Sequence, residues 1–170
     1  DRGSVDLRAE TKAIGALLDR SRDLRLLTLE SRFQSLAGQI VGFSECLDTM
    51  ASLLDLHWEH VHPRSPEGDH TMRQNTLSAL DDRTTIILPL QYAPVARDKK
   101  IGTIALRDYL IATGVVQKSA NEPARGSAGE LIDILRQAEN IPEVTAQHAA
   151  VLQGEKALAR IRARFVESAG

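Results

Sequence analysis

The chain has 170 residues, enough for one domain that buries its own core. Its 42% hydrophobic and 26% charged content is ordinary globular usage and argues against disorder. A formal charge of −2, a pI near 6.2 and the lack of any long basic block exclude the electrostatic footprint of a nucleic-acid binder.

Aromatic residues make up 4% of the chain, so the core is expected to be aliphatic, a mix that suits helices. The periodicity predicts a first helix over 5–19, with Leu7, Thr11, Ile14, Leu17 and Leu18 on one face. Ser21 or Asp23 caps a second helix that runs to about Ala37, with Leu26, Leu29, Phe33 and Leu36 in step. Gly38 ends it. From Phe43 to His62 one apolar stripe runs through Leu47, Met50, Leu54, His57 or Trp58, and Val61. Pro63 stops that helix. A fourth helix near 70–80 has Asp69 as its cap, with Arg73, Thr76 or Leu77, and Leu80 in its stripe.

The pattern then changes. Pro89 and Pro94 forbid a long helix, and a hairpin is expected from Leu90–Val95 and Lys100–Ala105. A short helix, Leu106–Thr113, follows and closes at Gly114. Residues 117–129 are polar and small and read as a linker-like loop. Two more helices are expected, at about 128–138 and 142–168. Leu158, Ile161 and Phe165 are apolar positions of the last, and Pro142 sits near its first turn. The expectation is a mainly α, antiparallel fold of about six or seven helices with one small β-hairpin near 90–105. Residues 1–116 form one helical domain, and 130–170 are a helical pair expected to pack on it.

No run of about 18 apolar residues occurs, so no membrane-embedded helix is expected. The single cysteine, Cys46, lies among apolar neighbours and reads as a small buried hydrophobe in a reducing, cytoplasmic setting. The polar start opens almost directly into a helical pattern, which suggests a piece of a longer protein.

Four of the five histidines, His57, His60, His62 and His70, crowd together with Glu59, Glu67 and Asp69 nearby. A metal-dependent enzyme would use His57, His60 and His62 with Glu59 or Asp69. His-Trp-Glu-His is not the His-Glu-x-x-His pattern of zinc proteases, and structural or exposed histidines are the preferred reading. A third reading is a generic module that binds peptides or dimerises through the 142–168 helix. No nucleophile elbow, phosphate loop or dinucleotide fingerprint occurs, so no catalytic residue, metal or cofactor is assigned.

Trp58 stands one turn before His62-Pro63, and Arg73 and Asn75 open the helix after the loop. A guanidinium can stack on an indole and bond the carbonyls at the end of the preceding helix, making a stapled corner. Asp23-Leu24-Arg25 and Leu106-Arg107-Asp108 read as small orienting motifs at helix starts. Arg107 has the reach to bond loop carbonyls or an acidic partner.

In this order and spacing, Asp23-Leu24-Arg25, Trp58 with His62-Pro63, Arg73 with Asn75, Leu77 and Leu80, Pro94 and Leu106-Arg107-Asp108 resemble the ImpA-related N-terminal domain of TssA proteins from bacterial type VI secretion systems. The likeness covers about residues 5 to 115. Beyond 117 no family motif can be placed, and the ring-forming C-terminal regions of such proteins have no counterpart here. The resemblance implies a non-enzymatic assembly factor. Its implied partners are baseplate, tail sheath or tube, and membrane-complex proteins, with any homo-oligomer built through regions outside this sequence.

Overall fold

A computed structural model of the chain describes residues 6–65 and 68–168. Among them are eight α-helices and one two-stranded antiparallel sheet, a mainly α fold with a small hairpin. Helix α1, Leu7–Leu18, begins where the Asp6 carboxylate accepts the N–H groups of Arg8 and Ala9, at 3.1 and 3.2 Å. Such an acceptor satisfies donors that have no partner inside the helix. Helix α2, Leu24–Leu36, takes its cap from Asp23, which settles the choice between Ser21 and Asp23. Gly38 then turns the chain at φ 71°, a region that a side chain disfavours.

Helix α3, Ile40–His57, tightens into a 3-10 turn over Trp58–His60. The α-helix therefore ends five residues before His62, not at it. Helix α4 is Thr71–Ser78, and Asp69 accepts the Thr71 N–H at 2.9 Å. A 3-10 turn at Ala79–Asp81 and a π turn at Arg83–Ile87 lead into a single α-turn, α5, Leu88–Gln91.

The hairpin lies inside the expected span, but its first strand is displaced. Strand β1 is Pro94–Asp98 rather than Leu90–Val95, and β2 is Gly102–Ala105. Pro89 falls in the first turn of α5, where a missing N–H costs nothing, so the apolar run before Pro94 coils instead of extending. Ala96 faces Ile104 and Asp98 faces Gly102 across the pair. Arg97 exchanges both of its backbone bonds with the Asn140 side chain, at 3.1 and 3.0 Å. Helices α6, Leu106–Ala112, α7, Ala128–Leu135, and α8, Ile141–Ser168, complete the chain.

Helix α3 is the centre of the molecule. Its Leu47, Met50, Ala51 and Leu54, with Trp58 and Val61 just beyond, pack on Leu24 and Leu27 of α2 and on Ala157 and Ile161 of α8. A second cluster joins Ala96 and Ile104 of the hairpin to Leu131 and Ile134 of α7. Helix α8 comes close to α3 because Ala150, Gly154 and Ala157 present a small-residue stripe. A Cβ on Gly154 would lie 3.0 Å from Ser44 Oγ, and that hydroxyl donates to the Ala150 carbonyl. Arg160 ties the same two helices through Asp48 at 2.8 Å and Asp55 at 2.7 Å. Leu158, expected among the apolar contacts of α8, is 47% exposed, because it lies one residue off the stripe that Ala157 and Ile161 define. No helix among the described residues is long and apolar enough to cross a membrane.

Candidate functional site

Six of the singled-out residues meet at one corner. Trp58 is 7% exposed and Arg73 1% exposed. The Arg73 guanidinium lies 4.7 Å from the indole centroid. Its Nε donates to the Pro63 carbonyl at 2.7 Å, and its Nη2 donates to the Trp58 and Val61 carbonyls, each at 2.8 Å. The Trp58 carbonyl lies in the last turn and those of Val61 and Pro63 just beyond it, where no further turn follows to bond them. Burial pushes the Arg73 pKa down, but an arginine in a protein remains charged. The other side of the corner is closed by the α1–α2 loop. His62 N–H donates to the Arg22 carbonyl at 2.7 Å, and Leu24 N–H donates to the His62 carbonyl at 2.9 Å. The His62–Pro63 peptide is cis. Asp23, beside this bridge, is gripped by Arg25 through Nε at 3.0 Å and Nη2 at 2.6 Å.

Asn75 is not part of the corner. It is exposed, and the Ser78 hydroxyl donates to its backbone carbonyl. Two residues along a helix turn it about 200° from Arg73, so both cannot face one indole. Three partners of the indole carry no local sequence signal, because two of them arrive from α8. Phe165 and His70 meet the ring edge-on at 5.2 and 5.0 Å, and a second guanidinium, Arg164, sits 4.7 Å from its centroid.

Leu106, Arg107 and Asp108 lie at the start of α6, in a different part of the chain's surface. Asp108 accepts the Ala105 N–H at 2.8 Å and caps the helix. Arg107 bonds Glu122 at 2.8 Å and reaches the Gln117 carbonyl at 3.4 Å. Tyr92 also donates to Glu122, and the Ser119 N–H adds a bond at 2.7 Å. Arg107 first, then Tyr92 and Ser119, hold the Glu122 carboxyl well below the usual carboxylate range. Arg125 donates to the Ile101 carbonyl at 2.8 Å, so residues 117–129 are tied to the hairpin and α6 at two points.

The histidines do not converge. His60 is exposed, His62 uses its backbone in the corner and His70 packs on Trp58. Glu67 lies outside the described residues. Among the described residues no group of three or more His, Cys, Asp or Glu side chains is placed to hold a metal. Cys46 is buried, and desolvation, with a smaller push from Glu30, raises its thiol pKa to about 12.

An apolar groove of about 740 Å3 opens between α3, α8, the hairpin and α6–α7. Its floor is Leu47, Ile104, Leu131 and Ala150, and Leu106 and Leu158 stand at its rim. Periodicity cannot reveal it, because its walls come from seven separate elements. One buried amide, Gln147, sits in the wall. Its Nε2 donates to the Pro94 carbonyl at 2.8 Å and to Glu143 at 2.5 Å, while its Oε1 meets no donor among the described residues.

The family described as ImpA, N-terminal, type VI secretion system, matches residues 1–82. No curated protein matches the chain in sequence. Among solved structures it is similar to the N-terminal domain, including the conserved ImpA N-terminal region, of the TssA component of the type VI secretion system from Burkholderia cenocepacia. The identity is 25% and the TM-score 0.66, over 98% of this chain and 69% of that one. The corner built by Asp23, Trp58, His62 and Arg73 falls inside the matched residues. Residues 1–82 thus match the ImpA N-terminal family of the type VI secretion system, and over nearly its whole length the chain is similar in fold to a TssA N-terminal domain.

Proposed function

We propose that this chain is a non-enzymatic docking domain of a TssA-like protein, acting in the cytoplasm during tail assembly. In this reading it binds a baseplate, tail sheath or tube, or membrane-complex component and holds it in place. The observation that carries the proposal is the structural likeness over 98% of the chain to a TssA N-terminal domain. The local chemistry agrees with it. The tightest cluster of charge and aromatic groups is spent on fixing the angle between α3 and α4, which gives a rigid bracket. Along the other half of α3 and α8, away from that bracket, lies an apolar groove, and exposed apolar concavities commonly mark protein contact sites.

The test is co-purification of the chain, carrying an affinity tag, with the baseplate, sheath, tube and membrane-complex proteins of the same secretion system. Retention of at least one of them, with a dissociation constant in the micromolar range or tighter, is the expected result. If the longer protein retains a component and this chain retains none, the docking role belongs elsewhere in that protein.

A further inference from the structure

We propose that residues 117–126 are a strap clasped shut by two ion pairs of opposite polarity, and that it opens as a unit while the helices stay folded. Both clasps start from adjacent residues of α6. Arg107 holds Glu122 through Nε at 2.8 Å and Nη2 at 3.2 Å. Asp108 lies 3.4 Å from Arg125 Nε, and the same guanidinium donates to the Ile101 carbonyl at 2.8 Å. Tyr92 adds its hydroxyl to the Glu122 carboxylate. The order of charge along the strap, acid then base, is the reverse of that in Arg107-Asp108, so each clasp joins opposite charges.

Of the ten residues of the strap, only Glu122 and Arg125 are half-buried, and the other eight, Ala120, Pro123 and Ala124 among them, are exposed. Among the described residues, its other bond to the body of the chain is from Arg107 Nη2 to the Gln117 carbonyl at 3.4 Å, made by a guanidinium already in a clasp. The remaining bonds travel with the strap. Ser119 N–H donates to Glu122 Oε2 at 2.7 Å, and Glu122 N–H donates to the Ser119 carbonyl at 3.2 Å. Buried apolar surface is what ties a segment to the unfolding of a core, and this segment buries none. Its anchors alone oppose the conformational entropy that release returns. The Arg107 side chain is 12% exposed with the strap closed. Opening leaves that guanidinium uncovered against the Tyr92 ring, 5.7 Å away, next to Leu106 at the rim of the groove. The open form thus presents an unpaired cation and a phenol hydroxyl, which together suit a carboxylate.

Trypsin reads the opening directly. To cut the Arg125–Gly126 bond it must draw the Arg125 side chain into its own pocket, away from Asp108 and the Ile101 carbonyl. The unmodified chain, Glu122→Gln and Arg107→Gln are digested at pH 8, and the fragments are followed by mass spectrometry. Cleavage after Arg125 is compared in each with cleavage after Arg162, an exposed residue within α8. Where opening is fast, the rate of cutting tracks the population of the open form. In the unmodified chain the cut after Arg125 should come first. Either substitution should raise the ratio of the two cuts by about three- to tenfold, with the circular dichroism spectrum unchanged. An unchanged ratio, with both cuts faster or neither, means that the strap opens only with the whole fold or is not held by these pairs, and overturns the proposal. If one variant fails to fold, the other supplies the ratio. A cut within α8 before the cut after Arg125 in the unmodified chain overturns the proposal without any variant. No secretion protein enters the measurement, so its outcome is separate from that of the docking role.

Discussion

Replacing Arg73 with methionine tests the corner most sharply. The change keeps an unbranched stem against Trp58 and removes the charge and all three carbonyl bonds. Charge-assisted bonds of about 1.5–3 kcal/mol each set an upper bound of roughly 4.5–9 kcal/mol. Holding a buried cation that no carboxylate among the described residues contacts, with Glu59 acting only from a distance, takes part of that back. The net loss expected is about 3–5 kcal/mol, a large share of the roughly 5–15 kcal/mol that keeps a domain folded. At about 2–4 °C per kcal/mol for a chain of this size, the melting midpoint should fall by roughly 6–20 °C. Urea unfolding followed by circular dichroism gives the free energy. Tryptophan emission reads the corner itself, because Trp58 is the only tryptophan in the chain. Its emission should shift to the red and become easier to quench. Arg73→Lys should lose less, since an ammonium still reaches one or two carbonyls but cannot fork or stack in the same way. A midpoint within about 0.5 kcal/mol of the parent, with unshifted emission, would refute the staple.

Three further outcomes follow from the packing and the charges. Gly154→Leu should destabilise by about 1–3 kcal/mol in urea titration, because its Cβ lands 3.0 Å from Ser44 Oγ and the rest of the side chain has Leu47 in its way. Gly154→Ala should change stability little, since better helix propensity offsets the contact. Cys46, with its pKa pushed up to about 12, should react with thiol reagents at pH 8 only when denaturant is added. Glu122 has a depressed pKa in the folded chain, so the folded state binds a proton less readily than the unfolded one. Its stabilising effect is present above about pH 4.5 and is lost as pH falls below that value. Glu122→Gln should therefore flatten the fall in stability between pH 4.5 and pH 2, read from acid titration of the circular dichroism signal.

Features decided within one or two turns of chain were legible in the sequence. Asp23 as a cap, Gly38 as a stop and Pro142 near a helix start are each fixed by a few backbone groups. The Arg73–Trp58 contact was legible for a similar reason, since a short loop leaves a guanidinium within reach of a helix end. Asn75 and Leu158 show where the same reasoning slips. Each was placed by proximity to a good position, yet 200° of helical rotation separates Asn75 from Arg73 and 100° separates Leu158 from Ala157. Strand β1 was displaced because an apolar run between two prolines suits a strand or a short helix equally well. The cross-strand partners in Gly102–Ala105, and Asn140 some forty residues further on, decided between them. Arg164 and Phe165 reach Trp58 from more than a hundred residues away, and the groove exists only once seven elements are assembled.

The docking account meets its most direct test in one binding measurement with three versions of the chain. The unmodified chain, Leu158→Glu and Leu56→Glu are each titrated against the secretion component retained in co-purification. Leu158 and Leu56 are both exposed, so neither substitution threatens the core, but only Leu158 stands at the groove. The prediction is that Leu158→Glu weakens binding at least tenfold and Leu56→Glu leaves it unchanged. Equal affinity for all three would contradict docking through this groove.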